Sequence, residues 1–313
     1  MKKNSLVAAL LAALLMPCSV FAAERLTVLL DWFINPDHGP LYVAQERGYF
    51  KAAGLLVEFK APADPNAPPK LVAAGKADLA ISYQPQLHIQ ADRGLPLVRI
   101  ATLVATPLNS LVVLKEGPIE SVRDLKGKKV GFSVGGFEDA LLSAMLARQG
   151  MTLKDIELIN VNFALSPALI SGKVDAVIGA FRNFELNQLD LKGRAGRAFY
   201  VEEEGVPAYD ELIVVANQKD LGRPALKKFV AALEAGVQYL INHPKKSWNL
   251  FIKGRDKLDD ELNRLAWRDT LPRFALRPGA LSTERYEAFA KFLKKQGIVK
   301  KTPPVGTYAI ELR

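Results

Sequence analysis

The sequence predicts an α/β protein of two similarly built lobes with a helical C-terminal part. Alternating apolar runs that stop at turn-rich loops and give way to helical spacing recur along the chain, as strands with helices packed on them do. One such segment occurs twice: AGKADLAISY at 74–83 and SGKVDAVIGA at 171–180 share a Gly-Lys-x-Asp-x-x-Ile core, 97 residues apart. The length, 313 residues, also exceeds what a single core ordinarily holds. These observations divide the chain into a leader at 1–22, a first part of lobe 1 at 23–115, lobe 2 at 116–211, and a return strand with C-terminal helices of lobe 1 at 212–313.

The leader carries Lys2 and Lys3, an apolar run at 6–15, Pro17, and the small-residue site Val20-Phe21-Ala22. That is the three-part pattern of a secretory signal peptide, with cleavage expected after Ala22, and the apolar run falls short of the roughly 20 residues a membrane span needs. Cys18 is the only cysteine. Met16 and Pro17 before it make a poor lipid-attachment site. The chain from Ala23 onward therefore has no disulfide, thiolate nucleophile or cysteine metal site. Loss of two lysines lowers the formal charge from +9 to +7. The positive charge is scattered in short lysine pairs, which fits solvated faces rather than nucleic-acid binding, and no later stretch is apolar enough for stable membrane insertion.

In chain order, residues 25–30 alternate as a strand, and the turn Asn35-Pro36-Asp37-His38-Gly39-Pro40 leads into a helical run at 41–47. A buried strand follows at 55–59. The prolines of 62–69 predict a loop, with a short helix after it to Ala74. Each copy of the repeat reads as a glycine stop, an acid at a turn and a strand. Strands are expected at 97–104, 111–115, 130–133 and 156–161, and helices at 137–149 and 167–171. Thr152 to Asp155 form a capping box. A turn at 206–210 precedes a strand at 212–216, taken as the return crossing. Beyond it, apolar residues spaced three or four apart predict a long amphipathic helix at 224–243, ending at His243 and Pro244, and shorter helices at 247–252, 259–271 and 283–296.

The candidate site residues cluster where strands end and helices begin, which is where open α/β sheets hold ligands. The first turn brings together Asp31, Trp32, Asn35 and His38: an acid, a flat aromatic face, an amide and an imidazole suited to a polar ring. Tyr83 and Gln84 close the first repeat, Asn183 and Glu185 stand past the second, and Tyr209 lies in the turn before the return strand. Gly135 and Gly136 feed a helix N-terminus that could hold a phosphate on its backbone N–H groups. Glu138 and Asp139 already complement that positive end and oppose a large anion there. A carboxylate at Glu185 suits a ring bearing an amino group, since it can accept two parallel hydrogen bonds.

The blocks LDWFINPDHGPLYVAQERGYF, ISYQPQL, VGFSVGGFEDALL and VDAVIGAFRNFEL resemble the signature segments of the thiamine-pyrimidine-precursor binding proteins of bacterial ABC importers, a branch that includes the fungal thiamine pyrimidine synthase. The resemblance runs from about residue 26 to 217. It implies the type II periplasmic binding protein fold, two α/β lobes joined by two crossing strands, and capture of a formylated or hydroxymethylated aminopyrimidine for an ABC permease. On that resemblance Trp32 stacks on the ring, Asn35 and His38 line the first-lobe side, Tyr83 and Gln84 the rim, and Glu185 pairs with the aminopyrimidine edge. The fungal enzyme consumes its own histidine, with pyridoxal phosphate and with iron held near a cysteine-rich motif. His38 matches that histidine, but no cysteine follows the leader. The expectation is a periplasmic binding protein without cofactor, metal or catalysis. The alternatives are a synthase-like enzyme and a binder of riboflavin or another heterocycle.

Overall fold

The computed structural model describes residues 23–312; the leader, Cys18 and the cleavage site lie outside them. Among the described residues are ten strands in two five-stranded sheets. The first sheet is built from β1 (Glu24–Leu29), β2 (Leu55–Lys60), β3 (Leu79–Ser82), β4 (Leu97–Val104) and β10 (Leu212–Asn217), the second from β5 (Asn109–Leu114), β6 (Lys129–Phe132), β7 (Glu157–Asn160), β8 (Ala176–Phe181) and β9 (Gly196–Tyr200). Their orders are β2-β1-β3-β10-β4 and β7-β6-β8-β5-β9. The two orders superpose. In each sheet three parallel strands are followed by one running antiparallel to its neighbours on both sides.

The sequence repeat thus has a structural counterpart, because β3 and β8 hold the same central place. The chain passes from the first sheet to the second between β4 and β5 and returns between β9 and β10. The fold is the two-lobed α/β architecture with two crossings and a helical tail.

The helices are α1 (Gly39–Glu46), α2 (Tyr49–Ala52), α3 (Pro68–Ala73), α4 (Gln84–Asp92), α5 (Glu138–Arg148), α6 (Leu165–Ile170), α7 (Glu185–Leu191), α8 (Pro224–Asn242), α9 (Pro244–Ile252), α10 (Glu261–Thr270) and α11 (Thr283–Lys295). None of the described helices is long and apolar enough to cross a membrane. Pro68 and Pro69 open α3 rather than extending the loop, because the first helical turn needs no N–H donor. The apolar stripe of α8, with Leu226, Phe229, Leu233, Val237 and Leu240 buried, packs on α1 and α2, and α9 packs beside it on α1.

The tail is riveted to the first sheet by Arg99 of β4, whose side chain is fully buried. Its guanidinium donates to the carbonyls of Pro278, Gly279, Ala280 and Ile310 and to Thr102 Oγ1. The tail also reaches the second sheet, since α10 touches α7.

Candidate ligand-binding site

Turns at the carboxyl ends of the parallel strands of both sheets line a small shared cavity. Asp31, Trp32, Asn35 and Asp37 enter it from the turn after β1, and Tyr83 from the end of β3. Glu138 and Leu165 enter from the starts of α5 and α6, and Gly179, Phe181, Phe184 and Glu185 from β8 and the turn into α7. Four aromatic rings and four carboxyl groups line it, with no lysine, arginine or histidine among the lining residues.

The turn after β1 is held by its own hydrogen bonds. Asn35 Oδ1 accepts the Asp37 N–H at 2.8 Å, and the Asn35 N–H donates to His38 Nδ1 at 3.3 Å, a reciprocal cap on the 3₁₀ turn Pro36–His38. With Nδ1 accepting, the imidazole proton sits on Nε2 and is donated to Asp31 Oδ1 at 2.9 Å. The Tyr83 hydroxyl donates to the other oxygen, Asp31 Oδ2, at 2.9 Å. His38 is fully buried behind Asp31 and does not line the cavity. Its effect is to orient the carboxylate that does.

Two glutamates enter the wall from the second sheet's side, at the starts of α5 and α7. Glu185 Oε2 accepts the Phe181 N–H at 2.7 Å, and Glu138 Oε2 accepts the Ser133 N–H at 2.7 Å. Burial pushes both carboxyls up to about 8, because an ion in that setting has lost most of its hydration. Burial likewise raises Asp37 to about 6, against the opposing hydrogen bond from Thr270. Near neutral pH the wall therefore carries carboxyls that retain a proton and can donate as well as accept.

The sheets' edges are latched to one another at two places. Asn183, after β8, donates through Nδ2 to Asp37 Oδ1 at 2.6 Å and to Thr270 Oγ1 of α10 at 2.7 Å. On the other flank, Asn66 donates to the Ser133 carbonyl at 3.2 Å and accepts the Gly135 N–H at 2.9 Å. Rings span the gap as well: Trp32 packs edge-on against Phe163 at 4.7 Å and Tyr83 stacks on Phe137 at 4.6 Å. Replacing Asn66 by Ala should cost the closed form about 1 kcal/mol, the usual worth of such a pair of bonds. The check is small-angle scattering of the unliganded protein, where the variant should be more open; identical profiles would remove Asn66 as a latch.

Of the candidate residues, Asp31, Trp32, Asn35, Tyr83 and Glu185 line the cavity. Six other candidates lie elsewhere. His38 is behind Asp31, Asn183 is in one latch, and Gly135 is in the other, its N–H donating to Asn66, with Gly136 next to it in the turn. Gln84 is fully buried and turned toward the crossing strands, where its Oε1 accepts the Asp210 N–H at 2.7 Å. Tyr209 is fully buried there too, with its hydroxyl donating to Glu211 at 3.0 Å. Asp37, Glu138, Phe181 and Phe184 were not singled out as ligand contacts, although the quoted blocks contain all four.

A cavity at the strand ends of two α/β lobes of the same topology, latched across from both sides, is the arrangement of the periplasmic binding protein fold. The alkanesulfonate-binding protein SsuA of Xanthomonas axonopodis pv. citri, bound to MOPS, has this fold, with a TM-score of 0.72 at 17% identity over 92% of this chain and 99% of that one. The chain belongs to the NMT1/THI5-like family, whose model matches residues 35–247. A Haemophilus influenzae protein named for thiamine biosynthesis is 52% identical over 93% of each chain. The formylaminopyrimidine-binding protein of Halalkalibacterium halodurans is 34% identical over 75% of this chain and 72% of its own. The 4-amino-5-hydroxymethyl-2-methylpyrimidine phosphate synthase of Uromyces fabae is 30% identical over 78% and 75%.

Proposed function

We propose that the protein is an exported, periplasmic binding protein that captures an aminopyrimidine precursor of thiamine between its lobes and hands it to an ABC permease. The observation that carries this reading is the cavity wall, four aromatic rings and four carboxyls without a cationic side chain. Aromatic faces cover a flat ring. A carboxyl that keeps its proton near pH 7 offers an acceptor oxygen and a donor hydroxyl side by side, the complement of an amino group next to a ring nitrogen. Glu185 is such a group, with burial holding it at about 8 and Oε2 steadied by the Phe181 N–H. A sulfonate or nitrate would meet acids instead of cations. The family membership and the formylaminopyrimidine-binding relative point the same way.

The synthase reading would need His38 to reach a bound substrate. Both of its ring nitrogens are engaged, by Asn35 and by Asp31, and the ring is fully buried. That favours binding without chemistry. Lobe closure would turn about the two crossings, with the chain divided near residues 115 and 211.

The test is calorimetry and thermal shift on the chain from Ala23 against 4-amino-5-hydroxymethyl-2-methylpyrimidine, thiamine, riboflavin, pyridoxal phosphate and taurine. A ligand that binds only the folded state raises the melting point. The aminopyrimidine should do so; stabilisation by pyridoxal phosphate alone would refute the proposal. Glu185→Ala should weaken the aminopyrimidine by about 2 kcal/mol, roughly thirtyfold, and an analogue lacking the amino group much less. Equal losses for both ligands would show that Glu185 does not read the amino edge.

A further inference from the structure

The turn between β6 and α5 has the form of an anion seat, and the chain fills it with its own carboxyl. A strand end, two glycines and the first turn of an eleven-residue helix gather backbone N–H groups at a positive helix end. Here two donors of the turn are already engaged: Glu138 Oε2 accepts the Ser133 N–H at 2.7 Å, and Asn66 Oδ1 accepts the Gly135 N–H at 2.9 Å.

The side chain is 3% exposed and lines the cavity, so it stands between the turn and the ligand. Its position depends on the neighbouring strand of the same sheet. Gly179 of β8 has φ of 97°, and a Cβ built there would overlap the Glu138 carboxyl. No cationic side chain lines the wall to serve a phosphate, and its other titratable side chains are the acids Asp31, Asp37 and Glu185 and the phenol of Tyr83. The nearby Arg182 is held by both oxygens of Glu202 at 2.7 and 2.8 Å.

We propose that Glu138 is a specificity-determining residue: seated on the Ser133 amide between the turn and the cavity, its carboxyl keeps a phosphate group out of the turn, so the cavity accepts an unphosphorylated amino heterocycle and rejects its phosphate ester. The identity of the ligand rests on the reading above; the blocked seat rests on the turn geometry alone.

Calorimetry should give wild type at least a hundredfold weaker affinity for the hydroxymethylaminopyrimidine monophosphate than for the alcohol. In Glu138→Ala and Glu138→Ser, which vacate the seat, that ratio should fall at least tenfold. In Glu138→Gln, whose carbonyl oxygen can still cap the Ser133 amide, it should stay within about threefold of wild type. An unchanged ratio in the folded small variants, or a wild type that binds both compounds alike, would overturn the proposal. A second arm needs no pyrimidine: millimolar inorganic phosphate should raise the melting point of Glu138→Ala and Glu138→Ser but not of wild type. Absence of that shift in the folded variants sinks the blocked seat, whereas failure of wild type to bind the alcohol sinks only the ligand reading.

Discussion

Replacing Trp32 by Ala should weaken aminopyrimidine binding by about 3 kcal/mol, more than a hundredfold, while the melting point of the unliganded protein moves by only a few degrees. Trp32 reaches the cavity from the turn after β1, and its edge meets Phe163 at 4.7 Å, while Phe33 lies 4.5 Å from the same Phe163 ring. One residue thus presents an aromatic wall to the ligand and closes the rim against the segment that follows β7. Truncation removes both, and aromatic anchors of this kind rank among the most costly positions in a binding site. The fold should survive, since Trp32 is only partly buried and contributes no backbone cap. Trp32→Phe keeps a ring and should lose about tenfold. Calorimetry with the hydroxymethylaminopyrimidine decides the matter: affinities within threefold of wild type for Trp32→Ala would take this side chain out of the ligand's contact shell.

The elements that bury one face and expose the other were legible in the sequence, and those that do neither were not. The stripe of α8 and the alternation of β1 and β2 could be read directly from apolar spacing. Helix α4 could not, because residues 84–90 are all buried, with the polar Gln84, Gln86, His88 and Gln90 among them, so polar and apolar residues do not sort onto two faces. Strand β9 escaped for the opposite reason. It is the half-buried edge of its sheet, with an arginine in a run of five.

The site was legible where chemistry and position coincide, as in Trp32 and Glu185, and illegible where a side chain serves the turn that carries it. His38 and Asn35 cap each other, which spacing alone does not separate from ligand contact. Glu138 reads in the sequence as an acid complementing a helix start; its burial depends on a missing Cβ at Gly179, 41 residues later in the chain. The two glutamines after β3 occupy the place that Asn183 and Glu185 hold after β8, yet Gln84 turns to Asp210 and Gln86 to Ser82. The repeat carried over to topology but not to which side chains line the cavity.

The unliganded protein should lose stability as pH rises from about 5.5 to 8.5, the reverse of what paired surface carboxylates produce. Four buried carboxyls set this direction. Burial raises Asp37 to about 6, Glu211 to about 7, and Glu138 and Glu185 to about 8, from ordinary values of 3.8 for the aspartate and 4.5 for the glutamates. In the interval between, the folded chain holds protons that the unfolded chain has released, so stability falls as pH rises. The contribution is complete below about pH 4 and is gone once pH has climbed through 6, 7 and 8. A shift of this size is worth a few kcal/mol per group, so several kcal/mol are at stake across the set.

Exposed acids act the other way only at lower pH. Hydrogen bonds from the Asn66 backbone, the Ser121 hydroxyl and the Thr152 backbone hold Asp64, Asp124 and Asp155 below the usual range, and what they add is lost only in stronger acid. Glu211 separates this account from a general charge effect. It is fully buried where the crossings meet, with Oε2 accepting the Leu108 N–H at 2.6 Å, the Asn109 N–H at 2.9 Å and the Tyr209 hydroxyl at 3.0 Å. Its carboxyl ties the first crossing to the second, and Oε1 is buried without a partner among the described residues. Glu211→Gln keeps an acceptor for those donors and removes the titration, so it should flatten the decline between pH 6 and 8 in denaturant midpoints. A wild-type midpoint that is level or rising from pH 5.5 to 8.5 would mean that these carboxyls ionise freely in the folded protein, and with that the donor role given to Glu185 would fall.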